Sequence, residues 1–227
     1  RAPLKFRHAM LDHPALSLAN LARVLPALPP AQVKYATNRL AVGQNFERSF
    51  DARTASATLE ETIAHIRESD SYIMVRAPES DPSIQPLYRE LLADTEAIMR
   101  AKGVGAHAHG AMLYMFIASP NSVTPFHIDR YSTFLFQFRG TKTVTIFPQW
   151  DERVVTNRQR EDYMAYEDTR LSWTPELDRF GTPYSFTPGE ALHIPFAAGH
   201  HVCNGPGDVS ISMSIIFNTD ESRVWRS

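Results

Sequence analysis

The sequence predicts a mainly β domain, a sandwich or jelly-roll-like barrel, preceded by a mixed α/β segment. Two observations carry this. From about Ala111 onward, eight short runs rich in β-branched and aromatic residues follow one another between Pro, Gly and Asn, with no helical periodicity separating them. Before about residue 105 the texture differs: capping signatures and apolar residues three and four apart alternate with short extended runs. The 227 residues, 43% of them hydrophobic, suffice for one sizeable core. Residues 1–105 thus read as a helical and mixed segment packing on the barrel. Residues 106–227 read as the barrel itself, interrupted by an insertion at about 149–182.

Taken in order, Ser17 can cap a short helix through Leu18, Leu21, Val24 and Leu25, which the prolines at 26, 29 and 30 are expected to end. Val33–Thr37 has strand character. Thr58-Leu59-Glu60-Glu61 is a capping-box pattern opening a helix to about Glu68, with Ile63 and Ile66 inward. Ser71–Arg76 reads as a strand. Asp81-Pro82 is expected to start the longest helix, with Ile84, Leu87, Leu91 and Ile98 on one face and Gly103 at its end. The eight later strands are placed at Met112–Ala118, Thr124–Ile128, Thr133–Phe138, Lys142–Phe147, Ser185–Thr187, Ala191–Ile194, His200–Cys203 and Val209–Phe217. The insertion between them is polar and sprinkled with aromatics, the kind of long loop that is usually functional or mobile.

Composition excludes several classes. A formal charge of −2 offers no electrostatic case for nucleic acid or an acidic membrane surface. No run of about eighteen apolar residues is present to span a membrane. The first residues, Arg1-Ala2-Pro3-Leu4, lack the apolar stretch of a signal peptide, and the single cysteine, Cys203, cannot form an internal disulfide. A reducing, cytoplasmic setting is the expectation, with Cys203 as a small core residue.

The chemistry concentrates in Thr124-Pro125-Phe126-His127-Ile128-Asp129 and in His200-His201. His127 and Asp129 are two apart on a strand, so an imidazole and a carboxylate share one face. With one distant histidine they make the two-histidine, one-carboxylate set that holds non-haem Fe(II) and leaves positions open. Strand alternation puts His200 and His201 on opposite faces, so only one of them can complete the set. His107-Ala108-His109 has a similar spacing, but no third ligand is near in sequence, and a polar strand end is the better reading.

These motifs resemble those of the JmjC-type, cupin-fold 2-oxoglutarate oxygenases, in particular the asparaginyl hydroxylase that inhibits hypoxia-inducible factor and its bacterial cupin-like relatives. The likeness runs over roughly residues 70–218. It rests on Asn121–Asp129, on Gly140-Thr141-Lys142 beginning thirteen residues after His127, on Ile146-Phe147-Pro148, and on Pro188-Gly189-Glu190 through Ile194-Pro195 to His200. The resemblance implies a double-stranded β-helix and an Fe(II)- and 2-oxoglutarate-dependent oxygenase, in which O2 and the cosubstrate serve to hydroxylate a substrate. It implies that His127, Asp129 and His200 are the iron ligands, since the family spacing after Ile-Pro lands on His200. Lys142 would then pair with the distal carboxylate of 2-oxoglutarate and Thr124 would donate a hydroxyl to it. Tyr72 would contact the same cosubstrate, and Ser214 stands where the asparaginyl hydroxylase has an asparagine.

The family usually has a bulky aromatic pair directly before the last histidine; here Ala198-Gly199 replaces it, which should open the pocket wall or change what lies beside it. The resemblance favours a protein or peptide side chain as substrate, with a small molecule as the alternative and a non-catalytic ligand sensor as the other class. It also raises a possible homodimer. Arg130 and Tyr131 are candidates to face substrate. Trp150, Tyr163, Tyr166 and Trp173 either line a substrate groove or pack the insertion onto the barrel. His193 is either a packed strand residue or a support for the ligands.

Overall fold

A computed structural model describes residues 2–37, 39–50, 58–167 and 169–225. Among the described residues eleven strands form two antiparallel sheets. The larger orders β1 (Leu4–Arg7), β9 (Glu190–Ile194), β6 (Ser132–Arg139), β11 (Ser210–Asn218), β4 (His109–Ala118), β3 (Tyr72–Arg76) and β2 (Val33–Ala36) side by side. The smaller orders β5 (Val123–His127), β10 (His200–Asn204), β7 (Lys142–Ile146) and β8 (Thr182–Phe186). The fold is mainly β, with few helices. All eight strands expected after Ala111 are present, within a few residues at each end. Pro183 sits in β8, which among the described residues is an edge strand paired with β7, the kind of strand where proline is tolerated.

Alternation divides the large sheet. Leu113, Met115, Met213 and Ile215 point to one face and pack with Leu21, Val24 and Leu25 of α1 (Leu18–Ala27) and Leu87, Leu91 and Met99 of α3 (Gln85–Ala101). Each such fully buried side chain contributes about 1.5–3 kcal/mol, which makes this layer the main anchor of the fold. The other face turns toward the small sheet. There Leu135, Leu192 and Ile194 meet Val144, Ile146, Phe186 and Val202 and fill part of the barrel. The rest of the space between the sheets is a cavity.

The first 105 residues contribute β1, β2 and β3 to the large sheet as well as its covering helices. β1 carries no strong pattern and is held by pairing with β9. Ser17 caps α1 as expected, accepting from the Asn20 N–H at 3.3 Å, but Pro26 lies inside the helix. Its ring falls in the last turn, where only one backbone bond is forfeited. The capping box forms at α2 (Leu59–Ala64), which ends at Ala64 and not at Glu68. α3 starts at Gln85 because the Asp81 carboxylate first accepts from the backbone N–H and hydroxyl of Ser83, making a separate turn.

The insertion is more ordered than its composition suggests. Thr156 and Gln159 build a second capping box on α4 (Asn157–Met164). Val154, Val155, Tyr163 and Met164 pack with Phe126, Ile128 and Phe147 of the small sheet and its flanks. A last helix, α5 (Asp220–Trp225), follows β11. Among the described residues no helix is long and apolar enough to cross a membrane.

Candidate metal centre

β5 and β10 pair antiparallel, with His127 directly opposite His200, so strand register alone brings the two imidazoles together. Their ring centroids are 4.1 Å apart. Each ring is oriented by the backbone: His127 Nδ1 lies 2.8 Å from the Pro125 carbonyl and His200 Nδ1 lies 3.0 Å from that of Ala198. A carbonyl can only accept, so both Nδ1 atoms carry the proton and both Nε2 atoms present a lone pair to the same point. Burial, reinforced by His200, pushes the pKa of His127 down to about 3, which keeps that ring neutral as a ligand must be.

Asp129 lies just past the end of β5. One carboxylate oxygen is 3.7 Å from His127 Nε2 and the other 3.8 Å from His200 Nε2. These separations are too long for hydrogen bonds and suit three donors around one ion; all three donor atoms lie within 4.8 Å of one another. The Thr133 hydroxyl donates to Asp129 Oδ2 at 3.0 Å and fixes the carboxylate. Two imidazoles and one carboxylate, each held by a further group, fit a divalent metal.

The three residues open onto the cavity of about 410 Å³ between the sheets. Lys142, Thr124, Tyr72 and Ser214 line it too. Lys142 is the outlier in chemistry. Its side chain is buried, its Nζ donates to Ser212 Oγ at 2.7 Å, and desolvation without an opposing carboxylate lowers its pKa to about 7. The Tyr72 phenol and the Thr124 hydroxyl are hydrogen-bond partners, and burial raises the phenol's pKa so that it stays protonated. Two hydroxyls and one buried lysine amine therefore line the same cavity as the three clustered donors.

A family model described as "Cupin-like domain" matches residues 1–222. The chain belongs to that family. A search of the curated proteins finds no match. Solved structures similar in part include Lactobacillus farciminis oxalate decarboxylase in a formate complex and Bacillus subtilis oxalate decarboxylase at pH 4.6. Both are 14% identical with a TM-score of 0.33, and the matches cover 48% of this chain and 25% and 22% of those chains. The chain thus spans about a quarter or less of their length, and likenesses this slight do not bear on its chemistry.

Within this cupin-like domain His201 takes no part in the cluster. Its Nε2 lies 3.0 Å from Asp178 Oδ1, which also accepts from Trp173 Nε1 at 3.0 Å, so it pins the insertion to the opposite face of β10. His109 meets Asp220 at 2.7 Å and His107 lies 3.5 Å from Glu96; neither belongs to a metal cluster among the described residues. His193 packs against Phe134, with ring centroids 5.3 Å apart. Cys203 corrects the expectation of a small core residue. It is exposed, because on β10 the inner positions are His200, Val202 and Asn204.

The short residues before His200 do not open the wall. A Cβ on Gly199 would meet the Phe126 ring at 2.8 Å, so that ring occupies the space. Sequence reasoning missed Phe46, whose ring stacks on His127 with centroids 4.1 Å apart and planes 10° apart. Nothing local announces that contact, since Phe46 arrives from a distant segment tied down by the Phe126 N–H to Val42 carbonyl bond. It also missed Ser212, although the alternating Ser210, Ser212 and Ser214 in a buried strand could have revealed it. Arg130 does face the cavity, as does Tyr131. Its guanidinium lies over the rings of Tyr163 and Tyr166 at 3.7 and 4.3 Å, and its Nε donates to the Tyr163 carbonyl at 2.8 Å. Tyr163 lines the cavity, whereas Trp150 and Trp173 pack against Phe196 and His201.

Proposed function

We propose that this domain is an Fe(II)- and 2-oxoglutarate-dependent oxygenase that hydroxylates a protein or peptide side chain. The observation that carries this reading is the buried Lys142 in the same cavity as His127, Asp129 and His200. A buried ammonium with only a hydroxyl partner is costly, and a cavity that keeps one fits an anionic ligand that compensates it. His127, His200 and Asp129 would hold the metal, which when bound supplies the O2 chemistry that couples decarboxylation of 2-oxoglutarate to hydroxylation. Thr133 keeps the Asp129 carboxylate turned toward the site. Lys142 binds the distal carboxylate of the cosubstrate, with Thr124 and Tyr72 beside it and Ser214 on the neighbouring wall. Phe46 covers one face of His127 and limits water at the ligands.

A small-molecule substrate is the second reading, favoured by the cavity's modest volume of about 410 Å³ and its aromatic lining. The deciding test is calorimetric titration of 2-oxoglutarate into protein loaded with Mn(II), followed by succinate release with Fe(II) and air. Saturable binding that Lys142→Met removes is the expected result. Wild-type protein that takes up the metal but not 2-oxoglutarate would overturn the proposal.

A further inference from the structure

We infer that Arg130 is a positioning residue for the metal centre: through it, Tyr163 and Tyr166 of the insertion set where the Asp129 carboxylate stands. The inference rests on the metal-binding part of the oxygenase reading and concerns how that site is held. His127 and His200 face each other within the β5–β10 ladder, so register fixes both. Asp129 has no such support, because β5 ends at His127. Its carbonyl accepts from the Ala197 N–H at 3.1 Å and its carboxylate from the Thr133 hydroxyl at 3.0 Å. Just beyond it, Arg130 ties the chain to the insertion. Its Nε donates to the Tyr163 carbonyl at 2.8 Å, and its guanidinium lies 3.7 and 4.3 Å from the ring centres of Tyr163 and Tyr166.

The insertion grips the same segment from behind. Phe126 and Ile128, which alternate with His127 and Asp129, pack with Val155, Tyr163 and Met164. Arg130 extends that alternation by one step and replaces an apolar contact with a directed one. A charge-assisted hydrogen bond fixes direction as well as distance, which packing alone does not. Tyr166 supplies a second, independent observation. α4 ends in two backbone bonds, from the Tyr166 N–H to the Tyr163 carbonyl at 3.1 Å and from the Glu167 N–H to the Asp162 carbonyl at 3.0 Å. In that arrangement the residue at position 166 is left-handed, and glycine is usual there. Tyr166 instead stands at φ 64° and is 65% exposed, so neither backbone ease nor core packing accounts for an aromatic ring. Its contact with the Arg130 guanidinium does.

The test titrates Mn(II) into folded protein and records the electron paramagnetic resonance spectrum of the bound ion at saturation. Coulomb repulsion alone predicts that removing a cation from the cavity wall tightens metal binding. Positioning predicts the opposite sign. Arg130→Met should weaken Mn(II) binding about tenfold and alter the saturated spectrum. Arg130→Lys, which restores a cation over the rings, should recover part of the affinity. Tyr166→Gly should weaken binding about threefold, yet leave the urea midpoint of the metal-free protein unchanged or higher, since glycine relieves the left-handed backbone. Arg158→Met removes an exposed arginine of α4 and should bind Mn(II) like wild type. An Arg130→Met protein that binds Mn(II) as tightly as wild type or more so, or a Tyr166→Gly protein with wild-type affinity, overturns the inference while leaving the metal centre intact. If Arg130→Met does not fold, Tyr166→Gly decides the matter by itself, because it changes only an exposed side chain. Wild-type protein that takes up no Mn(II) overturns the metal centre itself.

Discussion

Replacing Lys142 with Met should stabilise the free protein while destroying its anion site. The lysine's pKa falls from 10.5 to about 7 on folding, entirely through burial. At about 1.4 kcal/mol per pH unit this corresponds to roughly 5 kcal/mol of folding free energy lost below pH 7. Met has similar length and no charge to desolvate. Its cost is the Ser212 hydroxyl, which loses its bond to Nζ while buried, about 1–3 kcal/mol. Lys142→Met should therefore gain about 2–4 kcal/mol at pH 6 in urea unfolding without metal or dicarboxylate. Between pH 7 and 10.5 the unfolded wild-type chain binds the proton that the folded chain has released, so wild-type stability rises with pH across that window. The variant lacks this slope, and its advantage should shrink by about 3 kcal/mol from pH 6 to pH 9. Parallel pH profiles for the two proteins, or a variant less stable than wild type at pH 6, would refute the reasoning.

Other outcomes follow from the same geometry. Affinity for 2-oxoglutarate should be greatest below pH 7 and fall about tenfold per unit above it, because binding then requires Lys142 to regain a proton; titrations flat from pH 6 to 9 would contradict this. His127→Ala and Asp129→Ala should each cut Mn(II) affinity by at least about 100-fold and abolish 2-oxoglutarate-dependent succinate release. His201→Ala serves as the contrast, since its side chain faces Asp178: it should bind Mn(II) like wild type, and matched losses in both histidine variants would rule out the ligand choice. Gly199→Ala should cost about 1–3 kcal/mol, because the new Cβ would lie 2.8 Å from the buried Phe126 ring; an unchanged urea midpoint would show that this packing is not tight.

Much of this molecule was determined by its sequence alone, because the signals involved are local. Side chains alternate along a strand, which is enough to separate His200 from His201, and the two-residue spacing brings Asp129 beside His127 even though the strand ends at His127. The same rule and the turn residues located all eight later strands, and Ser17 and Thr58 marked two helix starts through capping bonds that span only three residues. What only the tertiary structure decided depends on register and on which distant segment covers which face. The pairing that sets His200 opposite His127 joins residues seventy-odd positions apart. Phe46 on His127, Arg130 between two tyrosines of the insertion, and Ser212 under Lys142 are contacts between strands and loops that carry no mark of one another. Cys203 was misjudged for the same reason: a small apolar residue reads as core until the layer that covers His201 on the same face proves to stop short of it. Local chemistry therefore named His127 and Asp129, the resemblance selected His200, and long-range packing decided how they are held and what can reach them.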